Sequence, residues 1–149
     1  IAVAVFTVPV FVVAPPWEYA HFTGPIPRDG PLAWVGLVIF AGGIVLYSAA
    51  MWALRGSYRV RLGVEAGPRL VTSGPYRLVR HPGYLSYIVS LMGIGLALSS
   101  LSALGLTVLV TLFLLWRIKH EEEMLVAEFG KEYKVYMQRT KWRLIPLAY

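Results

Sequence analysis

The 149-residue sequence contains no cysteine. That excludes a disulfide framework, a thiolate metal site and a thiol nucleophile. Charge is scarce as well. Charged residues make up 15% of the chain, against about 25% in an ordinary soluble domain, while apolar residues reach 57%. So few charges cannot clothe a water-facing surface, which argues against a soluble enzyme, a nucleic-acid binder and a disordered tail. There is no Gly-rich phosphate loop and no G-x-S-x-G motif. The three histidines, His21, His81 and His120, are far apart in sequence, so no metal site is expected.

What the sequence has instead is long apolar runs. The cleanest is 32–54, without one charge and with Gly36, Gly42 and Gly43 inside it, where small residues allow close helix approach. A second charge-free run, 82–116, is too long for one untilted span and fits two short ones, 82–98 and 101–116, turned at Ser99, Ser100 and Ser102. The N-terminal stretch, about 1–16, is short for a span. It has neither a basic leader nor a small-residue cleavage site before Pro15-Pro16, so it reads as a membrane segment rather than a signal peptide. The expected fold class is therefore all-α: a single polytopic membrane domain of about four transmembrane helices, whose last two form a hairpin, followed by a charged tail, 117–149.

Charge asymmetry sets the expected topology. Arg55, Arg59, Arg61, Arg69, Arg77 and Arg80 crowd one connection with Glu65 alone opposing them, and seven more basic residues follow from Arg117 onward. The connection 15–31 holds Arg28, Glu18 and Asp29. The positive-inside rule then puts both basic segments in the cytoplasm and the 15–31 connection outside. In the tail, apolar positions at Met124, Leu125, Phe129, Tyr133, Tyr136 and Met137 keep helical spacing, and Gly130 interrupts them. Two cytoplasmic helices are expected, about 117–129 and 131–140.

The informative polar residues sit at two membrane edges. In LVTSGPYRLVRHPGYLSY, Gly74-Pro75 signals a turn, and Pro82 suits the first position of the third span. His81 then falls at the helix cap, where unpaired N–H groups form a seat for a small anion, and Tyr84 shares its face. Alternatively, Arg77, Arg80 and His81 are interfacial anchors beside an aromatic belt of Tyr76, Tyr84 and Tyr87. The second cluster, Arg117-Ile-Lys-His-Glu121-Glu122-Glu123, follows the fourth span directly. Arg117 and Glu121 are four apart on one helical face. Three consecutive glutamates oppose the positive-inside bias, although a charge run is most often a solvated face. If the hairpin forms, it brings His81 and Tyr84 near Arg117 and Glu121. Polar groups held at such a depth are usually functional.

Two long motifs, LVTSGPYRLVRHPGYL and RIKHEEEMLVAEFGKEYKVYMQRTKWRLIP, occur in that order on either side of the hairpin. Over about 70–146 the chain resembles the isoprenylcysteine carboxyl methyltransferase family, and the related phospholipid N-methyltransferases share part of the pattern. The resemblance implies a multi-pass membrane enzyme that uses S-adenosyl-L-methionine, with its active site facing the cytoplasm. It also implies a small lipophilic methyl acceptor: the carboxylate of a prenylcysteine-like compound, or a lipid amine. Carried over by motif, the cofactor contacts are Leu70, Val71, Tyr76, His81, Pro82, Gly83, Tyr84, Glu121 and Glu122, and Arg117 corresponds to a substrate-contacting arginine. On that reading His81 and the helix start hold the cofactor carboxylate, Tyr76 and Tyr84 pack on its adenosine or sulfonium, and Glu121 accepts from ribose or ammonium. His120 or Glu122 is the base that an amine acceptor needs. Two other classes remain: a sterol-reductase-like membrane oxidoreductase using NADPH, and a membrane scaffold whose clusters are anchors.

Overall fold

The computed structural model of the protein describes residues 2–21, 30–62 and 69–145, and every regular element among them is helical. In chain order these are α1 (Ala2–His21), α2 (Pro31–Leu62), a 3-10 turn (Gly74–Arg77), α3 (Pro82–Ala97), α4 (Leu101–Phe129) and α5 (Lys131–Arg139). The Pro31–Arg55 part of α2, and α4, are long and apolar enough to cross a membrane, whereas α3 is a shorter apolar helix of 16 residues. The outward faces are as apolar as the composition requires: Trp34 and Trp52 of α2 are each 73% exposed, and Val108, Leu109 and Leu112 of α4 are exposed with them.

Three boundaries differ from the sequence reading. The connection expected to begin at residue 15 begins later, because α1 continues through Pro9, Pro15 and Pro16 to His21. Prolines are tolerated in membrane helices where neighbouring groups take up the freed carbonyls. Helix α2 does not stop at 54 but continues to Leu62, carrying the first arginines of the basic connection in helix. The fourth span and the first tail helix are one uninterrupted helix, α4. No breaker separates 116 from 117, and Arg, Lys and Glu propagate a helix about as well as Leu. The break comes at Gly130, with φ of 54° in the left-handed region that glycine enters without a Cβ penalty. The remainder of the 15–31 and 55–80 connections, 22–29 and 63–68, lies outside the described residues, as does the end of the second motif at Pro146.

The helices contribute to two compact units. The first takes α1, α2 through Ile44, α3 from Tyr87 and α4 through Leu114. Here α2 and α3 touch backbone to backbone. A Cβ on Gly36 would collide with the Ala97 nitrogen and lie 2.7 Å from the Gly93 carbonyl oxygen; one on Gly93 would collide with the Phe40 nitrogen. Small residues replace hydrophobic driving force as the means of close packing in lipid.

The turn after α3 is the serine turn expected. Ser99 takes φ of 48°, and the Ser99 and Ser100 amides donate to Leu96 and Gly95 carbonyls at 2.9 and 3.1 Å. Glu18, which the sequence reading left in an outside connection, closes this turn. Its Oε1 accepts the Leu101 amide at 3.0 Å. Its Oε2 accepts the Ser102 amide at 3.1 Å and the Ser100 and Ser102 hydroxyls at 2.7 and 2.6 Å. A helix start carries N–H groups without intrahelical partners and a partial positive charge. A buried carboxylate from α1 satisfies both needs of α4. Thr7 of α1 and Tyr87 of α3 add a hydroxyl–hydroxyl bond.

The second unit takes α2 from Val45, the 3-10 turn, α3 through Ser86, α4 from Leu115, and α5. Its core includes Val79, Ile118, Tyr133, Tyr136 and Leu144.

Two glycines of α2 and α3 separate packing from propensity. Gly93→Ala should lower stability by about 1–3 kcal/mol, the usual penalty of overpacking. Gly42→Ala should be neutral or slightly stabilising, since a Cβ there meets nothing within 4 Å and Ala is the better helix former by about 1 kcal/mol. Thermal unfolding in detergent, followed by tryptophan fluorescence, reads both. In the same assay Glu18→Ala should lose about 1–3 kcal/mol by stripping partners from buried donors.

Candidate active site at the start of helix α3

The second unit is organised around α4 beyond its apolar part. Leu114, Ile118 and Glu122 are spaced by four and all three are buried, so Glu122 continues an inward stripe while Glu123 beside it is exposed. Glu122 is fully engaged. Its Oε1 accepts Arg80 Nε at 2.6 Å and lies 3.3 Å from His81 Nε2; its Oε2 accepts Arg143 Nε at 2.9 Å. Arg80 and Glu122 side chains are each 7% exposed. A carboxylate only accepts, so His81 carries its proton on Nε2 in this contact. Arg80 also donates through Nη1 to the Thr140 and Lys141 carbonyls, at 2.8 and 2.9 Å.

The backbone repeats the same junction. The Arg80 and His81 amides donate to the Trp142 and Arg143 carbonyls at 2.9 and 3.0 Å. Tyr136 Oη of α5 donates to the Tyr76 carbonyl at 2.7 Å. Burial, partly opposed by the Arg80 charge, pushes the Tyr136 phenol up to about 12, so this donor keeps its proton at any working pH. The tail and the start of α3 are thus bound to one carboxylate of α4, and Tyr136 of α5 ties the 3-10 turn to the tail.

Above this junction the groups face outward. Tyr84 Oη donates to Glu121 Oε2 at 2.6 Å and accepts from Arg117 Nε at 2.8 Å, and the Tyr84 and His81 rings stack with centroids 5.8 Å apart. This is the meeting of His81 and Tyr84 with Arg117 and Glu121 that the hairpin implied. Among the described residues, the Arg117 Nη atoms and Glu121 Oε1 have no partner, and a Cβ on Gly83 would meet nothing within 4 Å. Tyr133 Oη is buried without a partner among the described residues. It lies close enough to Glu122 and Glu121 for their charges, after burial itself, to push that phenol above its usual range.

Other expected positions fall elsewhere. Pro82 is buried at the helix start, Val71 is half-buried, and Tyr76 contributes its carbonyl to Tyr136. Leu70 lines a separate groove against α5, with Thr72, Arg77, Tyr136 and Arg139 among its walls and a volume of about 700 Å³. His120 is exposed and donates from Nδ1 to the Trp116 carbonyl at 3.1 Å. Sequence reasoning missed Arg80 and Arg143 as partners of Glu122, and Tyr133 as more than an apolar position. One signal was available: an acid placed four residues after Ile118 on the buried stripe requires buried cations.

A family model for phospholipid methyltransferases matches residues 32–132. The chain belongs to the phospholipid methyltransferase family. It is similar to a probable protein-S-isoprenylcysteine O-methyltransferase of Oryza sativa subsp. indica, 34% identical over 112 residues, covering 73% of this chain and 59% of that protein. It is also similar to the protein-S-isoprenylcysteine O-methyltransferase of Dictyostelium discoideum, 31% identical over 125 residues, covering 82% of this chain and 52% of that one. The chain therefore spans somewhat more than half the length of these relatives. The likeness to a delta(14)-sterol reductase of Mus musculus is weaker, 29% over 85 residues and 20% of that protein. The matched region of this phospholipid methyltransferase family member includes both the Glu122 junction's α3 side and the Tyr84 cluster. Family membership and the apolar helices make it a membrane protein.

Removing one member of a buried ion cluster strands the others. Glu122→Gln should destabilise the protein by about 3–5 kcal/mol, whereas Glu123→Gln, on the exposed side of the same turn, should change stability by less than about 0.5 kcal/mol. Chemical unfolding in mixed micelles distinguishes them.

Proposed function

We propose that the protein is an S-adenosyl-L-methionine-dependent membrane methyltransferase acting on a small lipophilic acceptor, a prenylcysteine-like carboxylate or a lipid amine. In this reading α1 to α4 make four spans, and the basic connection and the tail lie on the cytoplasmic side with the active site. The observation that carries it is the set of unfilled groups converging at the start of α3. The Gly83 and Tyr84 amides have no acceptor among the described residues, Glu121 Oε1 has no donor, and Tyr133 Oη is buried without a partner. A ligand with a carboxylate, an ammonium and ribose hydroxyls meets each of these needs.

The residues then divide the work. The helix-start amides of Gly83 and Tyr84 hold the cofactor carboxylate, assisted by the positive end of the helix dipole. Glu121 Oε1 accepts a hydrogen bond from the ammonium or a ribose hydroxyl. The stacked His81 and Tyr84 rings offer a polarisable wall to a sulfonium cation. Pro82 fixes the direction of the helix start, and Glu122 holds His81 and Arg80 in place beneath it. Leu70, Val71 and Tyr76 form the approach. When bound, S-adenosyl-L-methionine supplies an electrophilic methyl group. Arg117, anchored to Tyr84 through Nε, turns its free Nη edge to the acceptor and grips an anionic head by paired hydrogen bonds. A carboxylate acceptor needs no base, so alignment and exclusion of water do most of the catalysis. An amine acceptor needs one; of the two expected, Glu122 is fully engaged, which leaves the exposed His120 as the candidate.

Calorimetry with S-adenosylhomocysteine and with NADPH tests this directly. The former should bind and the latter should not; the reverse result would establish the reductase reading. His81→Ala and Glu121→Gln should each weaken S-adenosylhomocysteine binding by about 1–3 kcal/mol. Arg117→Lys keeps the charge and loses the planar fork. It should lower radiolabelled methyl transfer while leaving that affinity nearly unchanged; equal loss of both would reassign Arg117 to the cofactor.

A further inference from the structure

The groove against α5 is a different surface from the α3 start and has a different chemistry. One helical face of α5 supplies Glu132, Val135, Tyr136 and Arg139, at spacings of three, four and seven. The facing wall is Leu70, Thr72 and Arg77, with Lys131 and Thr140 closing the ends of α5. Its volume of about 700 Å³ lies within the range of small-molecule sites, roughly 300–1,000 Å³.

Three of its lining residues are cations and one is an acid. Among the described residues, none of Arg77, Lys131 and Arg139 has a carboxylate within ion-pair distance; every such ion pair belongs to Glu122. The exposed Lys119, Lys134 and Lys141 lack such a partner too; what distinguishes Arg77, Lys131 and Arg139 is that they line one groove together. Glu132 and Arg139 stand seven residues apart, about 10 Å along the helix, so the acid leaves the Arg139 end uncompensated. The rim is apolar at Val135, which is 46% exposed, with Leu70 half-buried on the facing wall. Unmatched cations beside exposed aliphatic side chains are the pattern of a surface at the edge of a bilayer, where Lys and Arg meet anionic headgroups.

We propose that this groove is a binding site for a phosphate group carried on an anionic membrane lipid. Arg77 and Arg139 grip the phosphate oxygens, Lys131 adds a point charge, and Val135 and Leu70 take the first methylenes of the lipid. Arginine forks suit tetrahedral oxyanions. Thr72 and Thr140 are hydroxyl-bearing neighbours within the same wall. The groove shares Leu70 with the cofactor approach, and its Tyr136 bonds the Tyr76 carbonyl, but none of His81, Gly83, Tyr84, Arg117 and Glu121 lines it, so the site does not depend on the methyl-transfer reading.

The test is lipid retention, not turnover. The full chain is purified in detergent, incubated with phosphatidylglycerol or phosphatidylcholine, and the lipid that stays bound is counted by native mass spectrometry. Phosphatidylglycerol should be retained in preference to phosphatidylcholine, and retention should fall with salt. Neutralising the three cations together (Arg77→Gln, Lys131→Gln, Arg139→Gln) should reduce retention roughly tenfold to a hundredfold. A control with the same loss of charge outside the groove (Lys119→Gln, Lys134→Gln, Lys141→Gln) should reduce it little. Arg77→Lys with Arg139→Lys should retain an intermediate level, which keeps the test valid if the triple variant folds poorly. Glycerol phosphate separates the sources. If it displaces the lipid at micromolar concentration, the phosphate site stands and a soluble ester is an alternative occupant. If only the lipid binds, the apolar rim is part of the site. Equal loss in both triple variants, or displacement of the lipid by S-adenosylhomocysteine, would overturn the proposal.

Discussion

The structure of the second unit depends on one carboxylate that cannot face water. Glu122 falls on the buried stripe of α4, and an ion taken from water is tolerated only when its partners and geometry are good. Three hydrogen-bond donors from two distant parts of the chain supply them, Arg80 and His81 before α3 and Arg143 in the tail. Once Arg80 is there, its remaining donors draw in the Thr140 and Lys141 carbonyls, and the Arg80 and His81 amides draw in the next two. The tail is therefore not an appendage. It completes the coordination of an acid that α4 forces inward.

That constraint explains how a short, polar helix such as α5 keeps its place on a chain that is otherwise apolar. Tyr133 and Tyr136 are its buried positions, and the Tyr136 hydroxyl reaches the 3-10 turn. With the turn, the tail and the start of α3 fixed, Gly83 and Tyr84 are held with their amides unpaired among the described residues. Tyr84 is in turn held between Arg117 and Glu121. Preorganisation of this kind spares a ligand the entropy of ordering its own site. The first unit uses the same device for a different end: Glu18 spends its carboxylate on the α4 helix start and leaves nothing open.

The sequence was most legible where composition and spacing act alone. Apolar runs located the helices, serines located the α3–α4 turn, and the paired motifs brought His81, Tyr84, Arg117 and Glu121 to one place. It was least legible where a boundary depends on the absence of a breaker, as in α4, whose apolar and charged parts join without a stop. Partnerships across tens of residues were hidden too. Nothing near Glu18 in sequence points to Ser100 and Ser102, and nothing near Glu122 points to Arg143. Topological signs such as the positive-inside bias treat Arg80 as one more cytoplasmic charge, whereas its burial gives it a specific partner.

If one carboxylate organises the site, the segments it joins must open together. Amide hydrogen exchange of the ligand-free protein, read on peptides from 76–85 and from 138–145, tests this. In the wild type both segments should be protected to a similar degree and lose protection through one shared opening, and in Glu122→Gln both should exchange faster by a similar factor. A tail that exchanges freely while Arg80 and His81 stay protected, or a Glu122→Gln effect confined to one segment, would contradict the account.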